Sequence, residues 1–178
     1  MKKITIKTFD TRVLPCILTL ANLLFGFLAI IFSFGHTLRL ASAMIMLSVL
    51  MDSLDGKVAR KFKANSDFGK ELDSLSDLVS FGLAPAVLVY AFVFHTYWPF
   101  WGIWSSAFFV MCGAVRLARF NILPSSDYFV GVPITFAGGF MALLLLFNDL
   151  LPWTAFPVCL FMFGVLMVSS LHVPKLGK

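Results

Sequence analysis

Apolar runs of bilayer-crossing length fill most of this chain and leave little choice of fold. They cover approximately residues 15–34, 38–62, 67–94, 100–120, 129–147 and a last stretch ending near 173. A helix needs roughly 20 mainly apolar residues to cross the hydrocarbon of a bilayer. Short breaks separate the runs: Gly35-His36-Thr37, Ala64-Asn65-Ser66, Pro99, a polar loop over 121–128 and a turn over 148–152. With 60% apolar and only 13% charged residues, the chain lies far outside soluble usage. No polar stretch is long enough for a second unit. The expectation is therefore one all-α integral membrane domain over 1–178, a bundle of six transmembrane helices. Pro85 should kink the third, and Gly138-Gly139 should let the fifth pack closely.

The cations orient this bundle. With a cytoplasmic N-terminus, that side receives Lys2, Lys3, Lys7 and Arg12, the cluster from Lys57 to Lys70, Arg116 and Arg119, and Lys175 and Lys178. Only Arg39 of the 14 cationic residues falls outside. Lys and Arg accumulate in cytoplasmic loops, so a multi-pass protein of the cell membrane with both termini inside is expected. The first cations alternate with Ile4, Ile6, Phe9 and Val13, the pattern of a short N-terminal interfacial segment. Anionic headgroups account for the net charge of +5, with no nucleic acid needed. The start resembles a signal sequence, but its apolar run is too long and lacks a small-residue cleavage site, so it is read as a retained helix. Cys16, Cys112 and Cys159 lie in apolar runs without C-x-x-C spacing and read as small reduced hydrophobes.

Against this background, residues 52–77 stand out: D-S-L-D-G-K-V-A-R-K-F-K-A-N-S-D-F-G-K-E-L-D-S-L-S-D. A carboxylate within a membrane helix is a functional hypothesis by default, because burying it unpartnered is costly. At about 100° per residue, Asp52, Asp55, Gly56 and Ala59 share one helical face, while Gly69, Asp73 and Asp77 share a face of the next helix. Two pairs of acids facing each other repel unless a cation lies between. All-oxygen ligation suits Mg²⁺, Mn²⁺ or Ca²⁺. Gly56, Ala59 and Gly69 remove bulk from the acidic faces and leave room for a ligand. Arg60 is planar and permanently charged, suited to clamping a phosphate. Ser66 is placed to cap the start of the third helix. In the first run, Thr19 and Asn22 lie one turn apart and face inward. Acids, cation, arginine and small residues together read as a site for a nucleotide diphosphate at the cytoplasmic end.

The spacing D-x(2)-D-G-x(2)-A-R-x(8)-G-x(3)-D-x(3)-D, from Asp52 to Asp77, resembles the signature of the CDP-alcohol phosphotransferases. The resemblance implies that Asp52, Asp55, Asp73 and Asp77 hold two divalent ions, Mg²⁺ or Mn²⁺ with Ca²⁺ as the alternative, and that Asp77 is also the general base. It implies that Gly56, Ala59, Arg60, Ser66 and Gly69 surround the CDP-lipid, with Asn22 closing over the nucleotide, and that the chain forms a homodimer.

Three further stretches resemble the phosphatidylserine synthases of that family: E-L-D-S-L-S-D-L-V-S-F-G-L-A-P-A (71–86), R-L-A-R-F-N (116–121) and G-V-P-I-T (131–135). The substrates implied are CDP-diacylglycerol and L-serine. Arg116 and Arg119, at the cytoplasmic end of the fourth run, are the candidates for the serine carboxylate, with Asn121 beside them. The rival acceptors are glycerol 3-phosphate and an inositol phosphate, which would need a denser cationic pocket. A cation transporter is the rival from another class, and it leaves Gly56, Arg60 and Gly69 unexplained.

Overall fold

The computed structural model describes residues 13–35, 37–62, 66–122, 128–169 and 172–174. The proposed interfacial segment with Lys2, Lys3, Lys7 and Arg12 lies outside the described residues, as do most of the 121–128 loop and the C-terminal lysines. Six helical rods account for most of the described chain. They are α1 (Val13–Phe34), α2 (Leu38–Phe62), α3 (Asp67–Tyr97), α4 (Pro99–Ile122), α5 (Ile134–Leu146) and α6 (Ala155–Val168). Helices α1, α3 and α4 are long and apolar enough to cross a membrane, and α5 and α6 are shorter apolar helices. Helix α2 has 25 residues, and its last turns carry the charges. The architecture is a helical membrane bundle.

The helices pack with small and polar residues inward and large apolar ones outward. On α1 the buried positions are Pro15, Thr19, Asn22, Gly26, Ala29 and Ser33, spaced by four and three. Ile17, Leu20, Leu24, Phe27 and Ile31 are exposed on its other side. A helix at a soluble surface shows the reverse; here the outward side meets lipid. Ala41, Ser42 and Ser48 line the inner face of α2, and α1 and α2 form the most extensive helix pair. Small residues let two backbones approach closely where lipid supplies no hydrophobic drive.

Helix α3 is central. In its most apolar window 56% of residues are buried, against 28% for α1 and for α4. Its Phe81, Leu88 and Phe94 pack with Ile45 of α2, Phe109 of α4 and Met141 of α5. Pro85 sits within α3 without ending it. Leu78–Leu83 forms a π-helical turn in which the Ala84 N–H reaches the Val79 carbonyl, and a second π stretch covers Tyr90–Phe94. Proline lacks an N–H and crowds the carbonyl four residues back; the wider turn before it accommodates both demands. A Cβ on Gly138 would strike the Phe81 backbone, so α5 rests directly on that π turn, and Gly139 faces Val49.

The last two helices are shorter than the sequence suggests. Instead of beginning at 129, the fifth is preceded by a strand, β1 (Tyr128–Val130). It pairs antiparallel with β2 (His172–Pro174), where the sixth was expected to continue. Two residues cause the difference. Gly131 has φ 79°, a conformation glycine adopts at little cost, and the Met167 carbonyl occupies the place of its missing Cβ. Val132 precedes Pro133, and a residue before proline is disfavoured in α geometry, so α5 starts only at Ile134. At the end of the bundle away from the acids, Arg39 pairs with Asp149 at 2.7 Å and Tyr97 stacks on Trp153.

Candidate active site

The break between α2 and α3 brings the C-terminal turns of one against the N-terminal turns of the other, which is where the acids lie. Carboxylate oxygens of Asp52, Asp55 and Asp73 all come within 4.8 Å of one another. Asp77, one turn along α3, is near enough to feel the charges of Asp52 and Asp73. Asp55 and Asp77 are buried, and Asp52 and Asp73 partly so. Among the described residues, the only ion pair is Arg39–Asp149, so no described lysine or arginine neutralises this cluster at contact distance.

The residues present fit divalent ions. Like charges this close disfavour ionisation unless a cation offsets them, and carboxylate oxygens are the donors that hard ions take. Asp73 Oδ1 is buried without a hydrogen-bond partner among the described residues, as is Asn22 Oδ1. Leaving a buried acceptor unpaired costs about 1–3 kcal/mol, so such an atom marks where a cation or donor is accommodated.

Helix α1 braces the cluster. The Thr19 hydroxyl lies 2.9 Å from Asp55 Oδ2 and 3.0 Å from the Pro15 carbonyl, sharing one proton between them. One turn on, Asn22 Nδ2 donates to Asp77 Oδ1 at 3.2 Å. The inward-facing pair on the first run is thus attached to one acid of α2 and one of α3.

A cavity of about 480 Å³ opens beside Asp55 and Asp73, and Gly56, Ala59, Arg60, Ser66 and Gly69 line it. A Cβ on Gly56 would meet nothing within 4 Å; it would project into open space. Ser66 caps α3, its Oγ accepting from the Gly69 N–H at 3.0 Å. A Cβ on Gly69 would crowd that same oxygen. Asn22 is not among the lining residues; its amide is on Asp77.

The three residues proposed for serine are not brought together. Arg116 is half-buried, feels the charges of Asp77 and Asp52, and lies 5.4 Å from the Phe120 ring centroid. Arg119 Nη1 instead donates to the Val168 carbonyl at 3.1 Å. Asn121 Nδ2 donates to Ser74 Oγ at 3.0 Å, and its carbonyl accepts from Lys70 Nζ at 3.1 Å. The Arg119 contact clasps α4 to α6, and the two Asn121 contacts clasp it to α3. Near Asp52, as Arg116 is, lies Thr135 of α5. No role was expected for Thr135, although it ends the G-V-P-I-T stretch.

Comparison with known proteins agrees with this geometry. The sequence model of the CDP-alcohol phosphatidyltransferase family matches residues 12–171. A CDP-diacylglycerol–serine O-phosphatidyltransferase of Bacillus subtilis is 40% identical over 169 residues, covering 93% of this chain and 92% of that protein. One from Methanocaldococcus jannaschii is 42% identical over 159 residues, covering 88% and 71%. An archaetidylserine synthase of Methanothermobacter thermautotrophicus is 37% identical over 165 residues, covering 91% and 70%.

Proposed function

We propose that this chain, which belongs to the CDP-alcohol phosphatidyltransferase family, transfers the phosphatidyl group of CDP-diacylglycerol to the hydroxyl of L-serine and releases CMP. The relatives above support the activity, and serine is common to all three of their names. For the site, the supporting observation is a single one. The cavity walled by Asp55 and Asp73 is lined by the same glycines, alanine and arginine that the motif spaces out, and by Ser66.

The roles follow from position. Asp52, Asp55, Asp73 and Asp77 hold two divalent ions, Mg²⁺ or Mn²⁺ with Ca²⁺ as the alternative. When bound, such ions polarise a phosphoryl group and offset the charge of the leaving phosphate. Gly56, Ala59 and Gly69 leave the volume that the CDP moiety fills, and Arg60 binds its phosphate oxygens. Ser66 fixes the start of α3 at the cavity's edge. Arg116 faces the acids from α4 and binds the serine carboxylate. Asp77 accepts the proton of the serine hydroxyl as its oxygen attacks the lipid-side phosphorus. The new O–P bond forms, the P–O bond to CMP breaks, and CMP leaves with that electron pair.

The distribution of lysine and arginine supports a cytoplasmic site and cytoplasmic termini, within one membrane domain. The family resemblance supports a homodimer, which light scattering of the detergent-solubilised protein measures. The decisive assay supplies purified protein and divalent ion with CDP-diacylglycerol and one alcohol at a time, and follows CMP. Release is expected with L-serine. Release with glycerol 3-phosphate or an inositol phosphate, and none with serine, overturns the assignment.

A further inference from the structure

The first helix reaches the acids through a residue that does not line the nucleotide cavity. Asn22 is fully buried, at 0% exposure, where α1, α2 and α3 meet. Its backbone carbonyl accepts from Ser48 Oγ of α2 at 3.1 Å and from Ser80 Oγ of α3 at 3.0 Å. A Cβ on Gly26, one turn along, would strike Ser80, so only glycine lets α1 come this near. The backbone of Asn22 is therefore anchored to both acid-bearing helices. An ionised carboxylate can only accept, so the amide nitrogen must face Asp77, which fixes which way the Asn22 side chain is turned.

We propose that Asn22 is a positioning residue for the transfer reaction: its Nδ2–H holds the Asp77 carboxylate in the rotation that meets the acceptor hydroxyl. The inference rests on the reading of Asp77 as the proton acceptor, and it replaces a nucleotide contact with an orienting one. A carboxylate can turn about its Cβ–Cγ bond, and which lone pair it offers the acceptor proton depends on what holds its other oxygen; Asn22 holds Oδ1. One directional hydrogen bond from a residue itself held by two serines removes that freedom. Asn22 then acts on turnover and not on substrate binding.

The test compares full-length wild type with Asn22→Ala in detergent–lipid micelles. Kinetics are measured with CDP-diacylglycerol and serine, CDP affinity by calorimetry, and folding by thermal melting. Loss of a partner that orients an active-site ligand typically costs about 10–100-fold. The expected result is a kcat lower by that factor, with both KM values and the CDP Kd within about twofold of wild type. Asn22→Gln, which keeps an amide donor, should recover part of the loss. An unchanged kcat overturns the proposal, and so does a weakened CDP affinity or a raised KM for the lipid, which would place Asn22 on the nucleotide. If Asn22→Ala does not fold, Ser80→Ala serves in its place. It frees the Asn22 carbonyl and should lower kcat several-fold; an unchanged kcat there also overturns the proposal. Wild type that releases CMP only with another alcohol would refute the serine assignment alone, and the same comparison is then read with that alcohol.

Discussion

The two sides of the acid cluster are built differently. The side proposed for the nucleotide lies at the junction of two consecutive helices, α2 and α3, whose motif residues line its cavity together with Pro15, Cys16 and Thr19 of α1. The other side takes Arg116 from α4, near Asp77 and Asp52, and Thr135 from α5, near Asp52. A common leaving group can be recognised by a local, regularly spaced device. On the proposed reading, the acceptor meets side chains that only the tertiary fold brings near. Changing the acceptor then means altering residues on α4 and α5 while the α2–α3 junction stays the same.

The largest effect should come from the acids the two sides share. Asp77→Asn should lower kcat by about 10²–10⁴-fold, the usual range for losing a general base, read as the rate of CMP release at saturating substrates. Next come variants that separate the sides. Gly56→Leu fills the open space beside Asp55 and should raise the KM for CDP-diacylglycerol at least about tenfold, each tenfold being about 1.4 kcal/mol. The KM for serine should not move. Arg116→Ala should do the converse, raising the serine KM about 10–100-fold through loss of a charged hydrogen bond of roughly 1.5–3 kcal/mol. If both variants shift both constants equally, the two-sided description fails.

Smaller effects sharpen the comparison. Thr135→Val removes a hydroxyl from Asp52 and should lower kcat about tenfold, near the lower end for partners of metal ligands. Arg119→Ala should leave the serine KM unchanged. Its guanidinium is engaged with the Val168 carbonyl, so the expected loss is about 1 kcal/mol of stability, read as a lower melting temperature. A serine KM raised by Arg119→Ala would return that residue to the acceptor site.

Helix-scale features were legible because they depend on local spacing. Hydropathy locates α1 through α4, and period and cap residues place the four acids, Ser66 and the small positions on faces that meet at the cluster and its cavity. What escaped was non-local. Nothing in R-L-A-R-F-N tells that Arg116 turns to the acids while Arg119 and Asn121 clasp neighbouring helices. Thr135 sits in an apolar run and gains meaning only because Gly138 lets α5 settle on α3. The 128–130 and 172–174 ribbon was hidden for the same reason: its strands are some 40 residues apart and read as the ends of apolar helices.

A π-helical turn holds more residues than the α-helical turn it replaces, so Leu78–Leu83 works as a phase shifter in the middle of α3. The rotational setting of Asp73 and Asp77 is uncoupled from that of Leu88 and Phe94 farther along the rod. Shortening the π segment by one residue would tighten it toward regular α geometry while both flanks kept their facing. The same deletion between Asp73 and Asp77 would swing one acid about 100° away from the other. Tolerance to one-residue insertions and deletions should therefore change sharply within a few positions of the chemistry.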